Sequence, residues 1–108
     1  PEPVANSAST VDPREQRRLA AHARQLIADK VKPFKKELDQ IDKRLPQLSA
    51  ERATLEAKLS TPGLSGADIA EAGKQLKTVT DSIEKLEERW LELSGQIESI
   101  QQEMGVAA

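Results

Sequence analysis

Between Ile27 and Leu59 the apolar positions recur every third or fourth residue: Ile27, Val31, Phe34, Leu38, Ile41, Leu45, Leu48, Leu55 and Leu59. Arg52 fills the one slot where the rhythm requires an apolar side chain. A strand would alternate every second residue, whereas steps of four and three make the seam of a heptad helix. A longer stripe follows, through Ile69, Ala72, Leu76, Val79, Ile83, Leu86, Trp90, Leu93, Ile97, Ile100 and Met104. The pattern predicts an all-α chain with a first helix over about 13–60, a turn over 60–66 and a second helix over about 66–104.

Local signals agree with these limits. Asp12 suits an N-cap, because its carboxylate can accept the free N–H groups of the first turn. Pro13 at the first helical position gives up a donor the helix would not use, and Glu15 completes a capping-box pattern. The stretch Ser60-Thr61-Pro62-Gly63-Leu64-Ser65-Gly66 holds Pro, two Gly and polar residues, the composition of a turn. Ser65 and Asp68 form a second capping box, with Leu64 and Ile69 placed as a hydrophobic staple. Pro33 and Pro46 lie inside the first helix, and each removes a backbone donor at a cost on the order of 3 kcal/mol. The heptad phase continues through both, so the expectation is a first helix kinked or broken at its prolines with one face kept inward. Three segments, 13–32, 33–45 and 46–60, are the alternative. Gly73 and Gly95 each weaken the second helix by roughly 1 kcal/mol relative to Ala.

Two stripes of similar length joined by a short turn can bury each other as an antiparallel two-helix coiled-coil hairpin. Folding about the turn sets Leu59 near Ile69, Leu48 near Val79, and Leu38 near Trp90. Phe34 and Trp90 are then expected to pack the wide end. A monomer is the simplest reading, although a parallel dimer would satisfy the same heptads. Residues 13–24 run past the end of the second helix as an overhang. Residues 1–11, rich in Pro, Ser and Ala, read as a flexible linker, the hairpin domain as 12–104, and residues 105–108 as a tail. A chain that opens in a linker without Met reads as part of a larger protein.

Composition narrows the class. The 108 residues include one Phe, one Trp and no Tyr, too few aromatic anchors for a rounded core. Charged residues make up 31%, which with periodic Leu, Ile and Ala points to long helices rather than sheet or disorder. No Cys is present, so disulfides and thiolate metal sites are excluded. No apolar run reaches the length of a membrane span, and no signal peptide opens the chain. Charge is unevenly placed. From Pro13 to Lys36 eight basic residues face two acids, net +6, and from Asp81 to Glu103 seven acids face two bases, net −5. The halves therefore either attract each other across the hairpin or meet a charged partner.

Catalysis has no foothold in this pattern. A two-helix hairpin lacks the desolvated pocket that acid–base or nucleophilic chemistry needs. His22, the one histidine, reads as an exposed helical residue, and no phosphate-binding glycine loop is present. Trp90 falls in the seam, which predicts a core anchor; a base-stacking platform is the alternative. The candidate binding residues are Arg14, Arg17, Arg18, Arg24, Lys30, Lys32, Lys35 and Lys36. The arginines cluster on the overhang, where no acidic helix can neutralise them, and suit sequence-independent contact with phosphates, whereas the basic residues 30–36 fall near the acidic residues 92–98 and are expected to pair with them in part.

The layout resembles the C-terminal domain of bacterial ABC-F ATPases of the Uup/YheS type. The resemblance covers roughly residues 12–101. It is carried by Arg14-Glu15-Gln16-Arg17-Arg18, Pro33-Phe34-Lys35-Lys36-Glu37-Leu38, Leu55-Glu56-Ala57-Lys58-Leu59-Ser60 and Leu86-Glu87-Glu88-Arg89-Trp90-Leu91-Glu92-Leu93. It implies an accessory hairpin following two ATP-binding cassettes in a cytoplasmic protein without membrane domains, acting on ribosomes or in nucleic-acid transactions. The Uup-like branch is associated with DNA binding. The 108 residues hold no cassette, so ATP, magnesium and hydrolysis belong to the parent protein and the chain has no cofactor of its own. Leu93-Ser94-Gly95-Gln96 lacks the second glycine of a cassette signature loop and lies within the helical rhythm. The expected partners are DNA or structured RNA, including the ribosome, and the parent's own cassettes. The other reading is a structural hairpin docking on those cassettes or another protein through Leu19, Leu26 and Met104.

Overall fold

The computed structural model describes residues 12–105. The expected linker 1–11 and most of the expected tail therefore lie outside the described residues. Helix α1 runs Pro13–Leu59 and helix α2 runs Gly66–Glu103, with no strand among the described residues. The two lie antiparallel, and the intramolecular hairpin read from the two stripes is the observed fold.

The ends form as the side chains dictate. Asp12 Oδ1 accepts the Arg14 N–H at 3.0 Å. The Glu15 carboxylate turns to the Arg18 guanidinium, so the reciprocal half of the first capping box gives way to a stronger charge-assisted pair. Ser65 Oγ accepts the Asp68 N–H at 3.1 Å and starts α2. At the other side of the turn the Ser60 and Thr61 hydroxyls each donate to a carbonyl one turn back, Glu56 and Ala57, at 3.0 Å. Gly63, at φ +85°, supplies the left-handed residue that turns the chain.

α1 passes through Pro33 and Pro46 without a break, so the three-segment reading does not hold. Both prolines face solvent, where water can satisfy the carbonyls they leave without a partner. Val31, Ile41 and Leu48 are buried on either side of them and hold the helix in phase.

The seam is one layer thick. Ile27, Val31, Ile41 and Leu48 of α1 and Ala72, Val79, Ile83 and Leu93 of α2 are its buried members. Leu48, Val79 and Ile83 form its centre, flanked by Leu45, Leu55 and Leu86, in the register that placed Leu48 near Val79. Each such side chain contributes about 1.5–3 kcal/mol when fully buried. Two seam positions differ from the pattern. Ile69 is 49% exposed, because at the tip of the hairpin no further layer covers it. Trp90 is 38% exposed rather than a core anchor. Its indole N–H needs an acceptor, which a one-layer apolar seam lacks, and the ring turns to the seam edge to donate to Asp42.

The neighbours Leu93, fully buried, and Leu91, 66% exposed, make the packing testable. Leu93→Ala is expected to lower stability by about 2–5 kcal/mol and Leu91→Ala to stay within about 0.5 kcal/mol, measured by urea denaturation followed by circular dichroism.

Candidate nucleic-acid interface

All eight candidate residues lie on α1 and all are exposed. At 3.6 residues per turn, positions eighteen apart share a direction, which aligns Arg14 with Lys32, Arg17 with Lys35, and Arg18 with Lys36. Arg24 falls beside Arg17 and Lys35. Seven of the eight therefore occupy a sector of about 120°, and Lys30 alone points to the other side. The stripe from Arg14 to Lys36 is about 33 Å long, close to one turn of a nucleic-acid duplex.

Its first part stands clear of α2. From Pro13 to Leu26 only Glu15 is even half-buried, and Ile27 is the first buried residue. A further sequence signal lies here. Counted back from Ile27, the seam rhythm falls on Arg24, Ala20 and Arg17. The overhang thus carries arginine where the hairpin carries Ile and Val, so the face turned toward a coiled-coil partner becomes cationic as soon as α2 ends.

The expected pairing of residues 30–36 with residues 92–98 does not occur. Among the described residues, none of Lys30, Lys32, Lys35 and Lys36 lies in an ion pair. The reason is directional for Lys32 and Lys36, which at about 100° per residue lie on the side of α1 away from the buried Ile27 and Val31. Of the four arginines of the stripe, Arg18 alone lies in an ion pair among the described residues, with Glu15 one turn earlier. That hydrogen bond holds the Arg18 guanidinium still more firmly protonated.

The ion pair that does cross the hairpin has the opposite polarity: Arg89 of α2 grips Glu37 of α1. Nε donates to Oε2 at 2.6 Å and Nη2 to Oε1 at 3.0 Å, while Nη1 reaches Glu92 at 3.1 Å. Trp90 Nε1 donates to Asp42 Oδ1 at 3.1 Å as a second tie. The hydrogen bonds from Arg89 hold the Glu37 carboxyl below its ordinary 4.5, outweighing the opposing effect of desolvation, with the Arg89 charge adding to them. Arg89 is held charged by Glu37 first and Glu92 second. Both partners are about 40% exposed, so the pair sets register more than it adds stability.

No group of three or more potential ligands that could hold a metal occurs among the described residues. None of their helices is long and apolar enough to cross a membrane. A sequence model of the ABC transporter C-terminal domain matches residues 34–95. The match takes in both cross-hairpin ties together with Lys35 and Lys36, and leaves Arg14 to Lys32 outside it. No curated protein and no solved structure matches the chain.

Because the folded-state pKa of Glu37 is depressed, its contribution is present above the unfolded value of 4.5 and is lost as pH falls through the lower folded value. The urea midpoint should therefore fall on acidification below about pH 4.5, and fall less steeply in Glu37→Gln, which has no proton to take up.

Proposed function

Because the chain belongs to the ABC transporter C-terminal domain family, we propose that it serves a cytoplasmic ABC-F ATPase as its non-catalytic C-terminal domain, contacting the phosphates of DNA or structured RNA along the basic stripe of α1. The ABC-F assignment is supported by the Glu88-Arg89-Trp90 segment and by the hairpin that carries it. ATP and magnesium are handled by the parent's cassettes, which this domain would help to anchor on a nucleic acid such as ribosomal RNA.

The observation that carries the binding reading is the alignment of seven exposed cations on one side of α1, free of the acidic helix. Arg14, Arg17, Arg18 and Arg24 would meet phosphates beyond the hairpin's end, and Lys32, Lys35 and Lys36 would extend the contact along its side. Lys30, on the other side, would contribute least. Affinity would come from counterion release and would carry no sequence preference, since Arg and Lys on a helix side reach phosphates rather than base edges. The rigid hairpin would set the angle at which the cassettes are presented.

A second reading has its own observation. Leu19 on the overhang and Leu26 at its base are 51% and 43% exposed, beside the arginines, and would suit docking on the parent's cassettes. Met104, half-buried, offers less to such a contact. The two readings differ in salt dependence.

The test is a titration of the monomeric chain against labelled duplex DNA and structured RNA at about 50 and 200 mM salt. Binding should weaken steeply with salt. Replacing Arg14, Arg17, Arg18 and Arg24 with Ala should flatten the slope of log affinity against log salt by about 3 to 4, while Lys30→Ala changes it by less than about 1. No binding to either polymer at low salt would refute the phosphate reading and leave the docking one. Light scattering should give a monomer mass for the free chain.

A further inference from the structure

A second surface of opposite sign lies at the middle of the hairpin, further toward the turn than the basic stripe. Asp42 and Leu45 of α1 and Glu87, Trp90 and Leu91 of α2 line an open groove of about 370 Å³. The Trp90 ring is 38% exposed and Leu91 66% exposed, the least covered of the large apolar side chains described. The indole is not loose, because its N–H is bound to Asp42 Oδ1 at 3.1 Å and the ring is held at the groove wall. That bond uses one oxygen of Asp42. Among the described residues the other oxygen, and the whole Glu87 carboxylate, make no ion pair or side-chain hydrogen bond. No basic residue lines the groove.

We propose that this groove binds an arginine side chain presented by a basic peptide segment of a protein partner. An indole face attracts a cation and stacks on a planar guanidinium. Two carboxylates on the rim match the guanidinium's N–H donors, and Leu45 and Leu91 cover its methylene stem. A neutral apolar ligand would leave both carboxylates desolvated without a partner, and an anion or nucleic acid would be repelled. The occupant is a chain rather than a small cation, because a neighbouring hollow shares Asp42, Leu45 and Glu87 with the groove; Arg52 lines that hollow, so the arginine sits at the Trp90 end. The acidic run of α2, net −5 from Asp81 to Glu103, adds a field that draws a basic segment toward it. The hairpin would then hold phosphates along its basic stripe and a basic protein further toward the turn.

Trp90 is the chain's only tryptophan, and with no tyrosine present its emission reports on the groove directly. The probe is a capped nonapeptide of alternating Arg and Ala, with the matching Gln and Glu peptides as controls, titrated into the intact chain. The arginine peptide alone should shift Trp90 emission to saturation. Peptide anisotropy should show Glu87→Gln and Asp42→Asn each weakening binding about fivefold. Asn keeps the acceptor for the indole, so that variant should retain its circular dichroism and melting profile. Leu91→Lys, on an exposed side chain, places a like charge at the groove mouth and should remove the emission shift. Glu71→Gln, an acid outside the groove, should leave affinity within about twofold. Equal affinity for all variants would reduce the effect to general acidity and overturn the proposal. So would an emission shift that grows with protein concentration alone, which would make a second copy the occupant.

Discussion

A seam one side chain deep, shared by two helices of unequal length, is the constraint on which the molecule depends. Neither helix has another surface to bury, so each apolar position must find its counterpart on the other. That requirement sets the register that brings Leu48 to Val79 and Ile83. α1 has 47 residues and α2 has 38. With the turn closing one end, the surplus emerges at the other as a single helix over residues 13–24, about 18 Å that its partner does not cover. The overhang is thus a geometric consequence of the seam, and its composition changes where cover ends: beyond Ile27 the inward positions become Arg24, Ala20 and Arg17.

Polar contacts refine this arrangement. A continuous apolar stripe can slide by a heptad with little loss, since Leu, Ile and Val occupy equivalent slots. Arg89 with Glu37, and Trp90 with Asp42, are directional and tie adjacent residues of α2 to α1. Slippage would separate both pairs at once. These half-exposed contacts therefore discriminate between registers, while the buried layer supplies most of the stability. The prolines of α1 are tolerated for a related reason. They lie on the solvent side, and the seam on both sides holds the backbone straight enough to continue.

Charge is separated on this rod. Among the described residues no acid of α2 forms an ion pair with a cation of the stripe, so an almost neutral chain keeps a basic stripe on α1 and an acidic run on α2. In a compact globule such runs would neutralise each other across short distances. On a narrow hairpin each helix keeps more than half its circumference in water, and the two signs stay on separate helices.

Much of the fold was legible in the linear pattern. Period, turn and caps located both helices, and the pairing of the stripes predicted that Leu48 meets Val79, because a heptad repeat encodes one face and one partner. The candidate cations were legible as a cluster, and their alignment was also present in the spacing of Arg14 with Lys32, Arg17 with Lys35 and Arg18 with Lys36. Periodicity could not say whether the helix would survive Pro33 and Pro46, since that depends on how strongly the flanking seam is held. It also could not say where Trp90 would point. A seam position predicts burial, but the indole N–H requires an acceptor, and only the opposing helix brings Asp42 within 3.1 Å. The pairing of charges was hidden for the same reason. Composition counts charges by segment, whereas an ion pair needs two side chains to project toward one point. The tertiary structure alone decided that Glu37 would meet Arg89 and that the lysines beside it would form no ion pair among the described residues.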